Sequence, residues 1–492
     1  CNSGGTCSSD STVITITAIP EGAETVLTDT GNPGTNLANL QAEVDGKVGT
    51  SSPVITLPIG WVGRGTLFLK HRTSATYMTI RTAGYASLPN GTTRVSPTDA
   101  SVMAILEQSN SEMIIDTPAP SVTPPRYYRF LGIQLRKSSP SLSYTHTFVQ
   151  LGQGSATALN QLPNHVQFDR CYFNGGDTTS NTLRGVMLRA SDSAIVNSYF
   201  HRFKGAGIEV QAVLTLMGER QAILNNFMEA STENYMSGGS NPSIVGHVPT
   251  DIVFRRNHLK KDLCWKPEEP CYYGVNMVIK NLFEIKLANR YSVQGNFYEN
   301  HWLEDQPGYA IVITVRNDEG FASWSQISYV DFSYNKVQKI ARGLNCFGSD
   351  DIHPSQPTNH VIIRHIVFAG INWAGGVSNT FIFNDGPAGW DHLSVVRIST
   401  DQNGDPNEGF GRLINFETAT KNTNLTFSGN IGQGYINQES GTGVTALNAC
   451  CDTSWSMVKN GFFRSRGTNP ADNATVATRD EVGFTDVATY NL

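Results

Sequence analysis

The sequence predicts an all-β chain folded as a single-stranded right-handed parallel β-helix, three sheets wound into one solenoid with a helix capping its N-terminal end. Three observations predict it. A short apolar signature recurs along most of the chain, a second set of apolar strands follows it in phase, and neither a linker nor a charge block divides the 492 residues. Glycine numbers 46 against 36 lysines plus arginines, and Asn, Ser and Thr fill the gaps between short apolar runs, a profile of many strands joined by turns.

The signature is an apolar residue, two variable ones, often an asparagine, one more, then usually another apolar. It reads Phe168…Cys171…Phe173, Ile195…Ser198…Phe200, Ile223…Asn226…Met228, Phe254…Asn257…Leu259, Val293…Asn296…Tyr298, Phe332…Asn335…Val337 and Ile363…Ile366…Phe368. Degraded copies follow at Val395…Ile398 and Phe427…Asn430. Successive middle positions lie 27 to 39 residues apart, the length of one solenoid coil, and each coil buries its apolar face only by stacking on its neighbours. Asparagine occupies five of the nine middle positions. It tolerates left-handed backbone, and its amide can bond to the same asparagine one coil above. These asparagines are read as structural.

The second strands are Gly207–Val210, Glu284–Leu287, Ala310–Val315, Gly343–Cys346, Phe381–Phe383 and Leu413–Phe416, with Phe148–Leu151 and Gly185–Leu188 in earlier coils. Alternate residues of a strand face outward. This sheet would therefore display Arg189, Glu209, Lys286, Thr314, Asn345, Asn384 and Glu417, the row expected to carry function.

At the N-terminal side, Leu37, Leu40 and Val44 have helical spacing, and a helix near 36–46 would cover strand edges that the first coil leaves unpaired. The expected organisation is an extended segment over 1–34, the β-helix with its cap over 35–440, and an irregular C-terminal cap over 441–492.

Net charge is −6 without a basic stripe, so nucleic acid is not an expected partner. No apolar stretch approaches the roughly 20 residues of a transmembrane helix. The eight cysteines have no zinc-ligand spacing, and no metal is expected through them. Cys264 and Cys271 bracket a loop containing prolines and suit a disulfide formed in an oxidising compartment. Cys1, followed by Asn2-Ser3-Gly4-Gly5, resembles the first residue of a mature bacterial lipoprotein, which bears the lipid; the alternative is a bond to Cys7. The expected location is secreted or at a bacterial cell surface, with Cys1 as a candidate anchor.

The coil signature resembles the repeat of the pectate-lyase-like superfamily. Gly91–Pro97, Tyr127–Gly132, Lys280–Glu284, Gly295–Asn300 and the cap helix are similar to secreted β-helix proteins of bacteria such as the Acidobacteria, over about residues 35 to 430. That group mostly lacks an assigned activity, so the resemblance implies a fold and almost no catalytic residue. Pectin hydrolases of the superfamily combine an Asn-Thr-Asp segment, an Asp-Asp pair and a Gly-His-Gly turn; here only Asp350-Asp351 stands, within Gly348–His353.

The candidate catalytic residues are Asp350, Asp351, Asp318, Lys286 and Arg316. The aspartates occupy turns of neighbouring coils about 4.8 Å apart, within reach of the carboxylate separations glycosidases use; a solvated or calcium-held acidic turn is the plainer reading. No cofactor is expected beyond a calcium ion that could hold such a turn. Lys286 and Arg316, with Arg189, could serve a lyase as base and as neutraliser of a uronate, or simply pair with Glu209 and Glu284. Trp265, Trp302 and Trp373 lie in loops entering the displayed strands, Trp324 and Trp390 in loops leaving them. They would rim a groove where sugar faces stack, or fold back and bury themselves. Two functions follow: a carbohydrate-active protein binding or cleaving a polysaccharide along the groove, or a structural protein associating into filaments through Ser11–Thr17 and Cys450-Cys451.

Overall fold

The computed structural model describes residues 21–90, 93–109, 112–139, 144–304, 308–371, 379–384, 386–402, 411–417, 422–463 and 465–476. Glu24–Val26 pairs in parallel with Val54–Leu57, which pairs with Met78–Thr82, and the same relation repeats until Gly461–Phe463 meets Ala474–Val476. Twenty-six strands form one array that wraps two sides of each coil, and thirteen form the third side. Among the described residues one strand pair is antiparallel, Tyr435–Gln438 with Gly441–Thr442. The molecule is a right-handed parallel β-helix.

The apolar positions of the sequence stand in columns. Phe168, Ile195, Ile223, Phe254, Val293, Phe332, Ile363, Val395 and Phe427 are register partners in turn, all buried. On the thirteen-stranded sheet a second column runs from Val149 through Val186, Val213, Tyr235, Phe283 and Ile311 to Ile436. Removing one such ring, as in Phe283→Ala, costs about 3–5 kcal/mol because neighbouring coils cannot collapse into the gap.

The asparagine ladder closes the corner between the first two sides. Asn226 Nδ2 donates to Asn257 Oδ1 (3.1 Å), Asn257 to Asn296 (3.2 Å) and Asn296 to Asn335 (3.0 Å). The same Oδ1 atoms accept the backbone N–H of the preceding rung, as from Asn257 to Asn296 at 2.9 Å. The left-handed residue is not the ladder asparagine but the one before it: Asn225, Arg256, Gly295 and Tyr334 have φ of 55°, 56°, 65° and 56°. The asparagine itself is buried, with its amide bonds fully used.

The cap helix spans Pro33–Gly46, three residues earlier than its apolar spacing suggests, because Asn32 caps it by accepting from the Thr35 N–H and Pro33 opens the first turn. Leu37, Leu40 and Val44 close the end of the core. At the other end the expectation of irregular structure after 440 is corrected. A helix at Val444–Cys450 is followed by strands Ser456–Val458, Gly461–Phe463 and Ala474–Val476, and the ladder continues through Asn430, Asn460 and Asn473. The signature recurs there as Met457…Asn460…Phe462, so stacking continues beyond that boundary. No helix among the described residues is long and apolar enough to cross a membrane.

Candidate functional site

The thirteen-stranded sheet turns alternate side chains outward, and at Phe283–Ile285, Ile311–Thr314 and Leu344–Phe347 these frame an open cleft of about 380 Å³. Lys280, Glu284, Lys286, Tyr309, Arg316 and Asn345 line it. Glu284 and Asn345 share an outward register row with Val312, and Lys286, Thr314 and Phe347 lie in the next.

One end of the cleft is built on buried charge. Lys280 Nζ lies 2.7 Å from an oxygen of Glu233 and 2.7 Å from one of Glu209, and Gln211 donates to the other Glu233 oxygen (2.7 Å). Burial works to raise the Glu233 carboxyl, but Lys280 outweighs it and holds that carboxyl below its ordinary value. Glu284 shows the opposite balance. It is 4% exposed, accepts from Asn281 Nδ2 (2.9 Å), and has Lys286 only at 3.6 Å. Burial dominates, the nearby Glu233 adds to it, and the Glu284 carboxyl is raised. The cleft thus contains a carboxyl disposed to hold its proton.

The other end is a fixed turn. Arg316 Nη1 lies 3.0 Å from Asp350 and also contacts Asp351, while its guanidinium sits over the Phe347 ring. Asp350 accepts the N–H of Asn317 (2.6 Å) and of Ile352 (3.0 Å). Burial opposes its charge, but these amides and Arg316 prevail and the carboxyl is held low. Asp350 is therefore an ionised brace for the turn, paired with Arg316. Asp318 is exposed and lies outside the cleft lining. Among the described residues no three His, Cys, Asp or Glu side chains are grouped to hold a metal.

The tryptophans differ from the expected rim. Trp265 and Trp302 are each 1% exposed and pack together with Met277 and Ile279. The loop that carries Trp265 is tied by the Cys264–Cys271 disulfide and folds back on itself. Trp390 is 2% exposed against Phe383 in the main core, and half-buried Trp324 donates its indole N–H to the His247 carbonyl (3.2 Å). Trp373 lies outside the described residues, as do Cys1 and Ser11–Thr17. Arg189 is packed beneath Gly152 and Gly154, away from the cleft, and burial brings its guanidinium down to about 10. Cys450 and Cys451 are both buried, which removes them as thiols for joining chains.

Of the expected row, Lys286, Thr314 and Asn345 reach the cleft, and Arg316 with Asp350 and Asp351 forms its end. Glu233, Lys280 and Tyr309 were not anticipated. The missed signal for Glu233 is strand phase: the strands of these coils are Gln211–Met217 and Glu233–Ser237, whereas Gly207–Val210 is a bend.

No protein-family model matches the chain, and no curated protein matches it. Among solved structures it is similar to PfbA, a surface adhesin of Streptococcus pneumoniae, at 11% identity and TM-score 0.45, covering 87% of this chain and 86% of that one. It is similar to a family 28 exopolygalacturonase of Yersinia enterocolitica at 10% identity and TM-score 0.39, covering 92% and 77%. It is also similar to an alginate lyase from Paenibacillus at 12% identity and TM-score 0.34, covering 84% and 99%.

Proposed function

We propose that the chain binds a polysaccharide along the thirteen-stranded sheet and hydrolyses it, Glu284 giving its proton to the glycosidic oxygen as that bond breaks, while water adds its hydroxyl to the anomeric carbon and returns a proton to Glu284. The carrying observation is the buried Glu284 carboxyl lining an open cleft that crosses three coils, where burial raises it. A general acid must keep its proton near working pH, and burial is the usual means. An open cleft across stacked strands suits a chain better than a small molecule, which a closed pocket would hold.

The cleft's charges favour a neutral stretch of sugar. Lys280 and Arg316 each already face two carboxylates, which leaves Lys286, beside a protonated Glu284, as a single cation against the several charges that a polyuronate carries. Asn345 and Tyr309 supply hydrogen-bonding and ring surface for hydroxyl groups. The Cys264–Cys271 disulfide is consistent with work outside the cell.

The test is incubation of the full chain with neutral and acidic polysaccharides, following new reducing ends and unsaturated-uronate absorbance. Reducing ends released from a neutral polymer and lost in Glu284→Gln support the reading. Release that survives Glu284→Gln, or absorbance without hydrolysis, overturns it.

A further inference from the structure

A second surface lies at the asparagine-ladder corner, on the side of the coil away from the strands that form the cleft. The residue before each ladder position takes a left-handed conformation, which turns its side chain out at the corner, one per coil. In stacking order the row reads Arg256, Gly295, Tyr334, His365, Arg397, Gly429, Lys459 and, at its upper end, Asp472. Below it the corner is covered, since Arg94 donates to Asn225 Oδ1 (3.2 Å) and Val95 to the Asn197 carbonyl (3.0 Å). From Arg256 upward it is open: Arg256, Tyr334, Arg397 and Lys459 are exposed.

Two glycines shape this row. Tyr334 stacks on His365 with ring centroids 4.8 Å apart and planes 3° off parallel, so one ring face is covered. The neighbouring coil on the other side carries Gly295, where an added Cβ would meet only the Arg256 stem at 3.9 Å. That leaves a notch beside a tyrosine that is 55% exposed. Gly429 opens a similar notch between Arg397 and Lys459, and a Cβ there would meet only Arg397 Cγ at 3.5 Å. A groove of about 510 Å³ runs alongside, lined by Arg364, His365, Arg397, Gly429 and Lys459. Arg364 is occupied by Asp331 (2.8 Å), whereas Arg397 and Lys459 have no carboxylate partner among the described residues.

Coils are about 4.8 Å apart, so Arg397 and Lys459 flank the Gly429 notch at roughly 10 Å. Two unpaired cations around an empty notch, in line with an uncovered aromatic face, match a ligand whose rings present C–H faces and which also carries negative charge. We propose that this corner is a second carbohydrate site that takes an acidic polysaccharide. A sugar ring packs on Tyr334 at the Gly295 notch, and a carboxylate or sulfate lies between Arg397 and Lys459. The row is one residue wide on a chain of net charge −6, which lacks the broad basic face that nucleic acid requires.

Affinity electrophoresis of the full chain in gels containing polygalacturonate, chondroitin sulfate, DNA or neutral dextran tests this. Retardation by one or both acidic polymers and not by dextran is expected, and the two polymers separate carboxylate from sulfate. Arg397→Gln with Lys459→Gln should weaken it about tenfold, the worth of two exposed ion pairs. Tyr334→Ala should weaken it as well, and Glu284→Gln should leave it unchanged. The substituted side chains are exposed, and an unchanged melting temperature separates lost binding from lost fold. No retardation, retardation undiminished in the double variant, or equal retardation by DNA overturns the proposal. Loss with Glu284→Gln also overturns it and assigns the binding to the cleft, so this site and the cleft reading fail separately.

Discussion

Lys280 Nζ lies 2.7 Å from an oxygen of Glu233, a carboxylate with no exposed surface. Each is the other's compensation for leaving water. Removing one partner of such a pair costs about 3–5 kcal/mol, whereas replacing both with apolar groups is often neutral. Lys280→Met should therefore lose about that much in urea unfolding, and Lys280→Met with Glu233→Leu should recover most of it. Additive losses would show that the pair is not coupled.

The same pair sets the acid limb. Because the Glu233 carboxyl is held below its unfolded value, its contribution is present above the unfolded value and lost as pH falls through the folded one. Wild type should lose stability on acidification below about pH 4 faster than Glu233→Gln does, as read by thermal melts across pH.

For Glu284 the sign reverses. Its folded carboxyl is raised, so the stabilisation belongs to the protonated form and is lost as pH rises through the raised value. Glu284→Gln carries no such proton. Its melting temperature should gain on wild type from about pH 4 upward; parallel curves would show that Glu284 ionises normally.

Asn296 receives both the N–H and the side-chain amide of Asn257 and donates to the Phe254 carbonyl. Asn296→Ala strands these buried groups, at about 1–3 kcal/mol for each that finds no water. Urea unfolding should show a larger loss than for Asn473→Ala, a half-buried rung at the end of the ladder.

Reducing Cys264–Cys271 frees an eight-residue loop, worth roughly 2–3 kcal/mol of chain entropy. Trp265 belongs to that loop and packs with Trp302. A red shift in tryptophan emission should accompany reduction, and Cys264→Ser with Cys271→Ser should show it without reductant.

The β-helix was legible because its repeat is a property of neighbours in sequence: Phe254…Asn257…Leu259 places two core positions and a ladder rung within six residues. Lys286, Thr314 and Asn345 followed from strand alternation once the repeat was in phase. The Glu233–Lys280 pair was not legible, since its partners belong to different coils and the coil length between them is set by a loop. The tryptophans misled for a related reason. Composition says that Trp265 and Trp302 lie in a loop, but the direction in which that loop folds depends on the disulfide and on Met277 and Ile279, which it packs against. The unpaired cations of the corner row were not legible because coiling alone brings Arg397 and Lys459 to either side of Gly429.

The ladder also governs where the protein can change in length. An extra residue at that corner would pull an Oδ1 away from two donors, so this turn tolerates no insertion. The segment between Lys261 and Asn281 has no such constraint, and it leads directly into the wall of the cleft. Growth by insertion is therefore channelled toward the rim of the cleft, where new contacts can be acquired while every strand keeps its register.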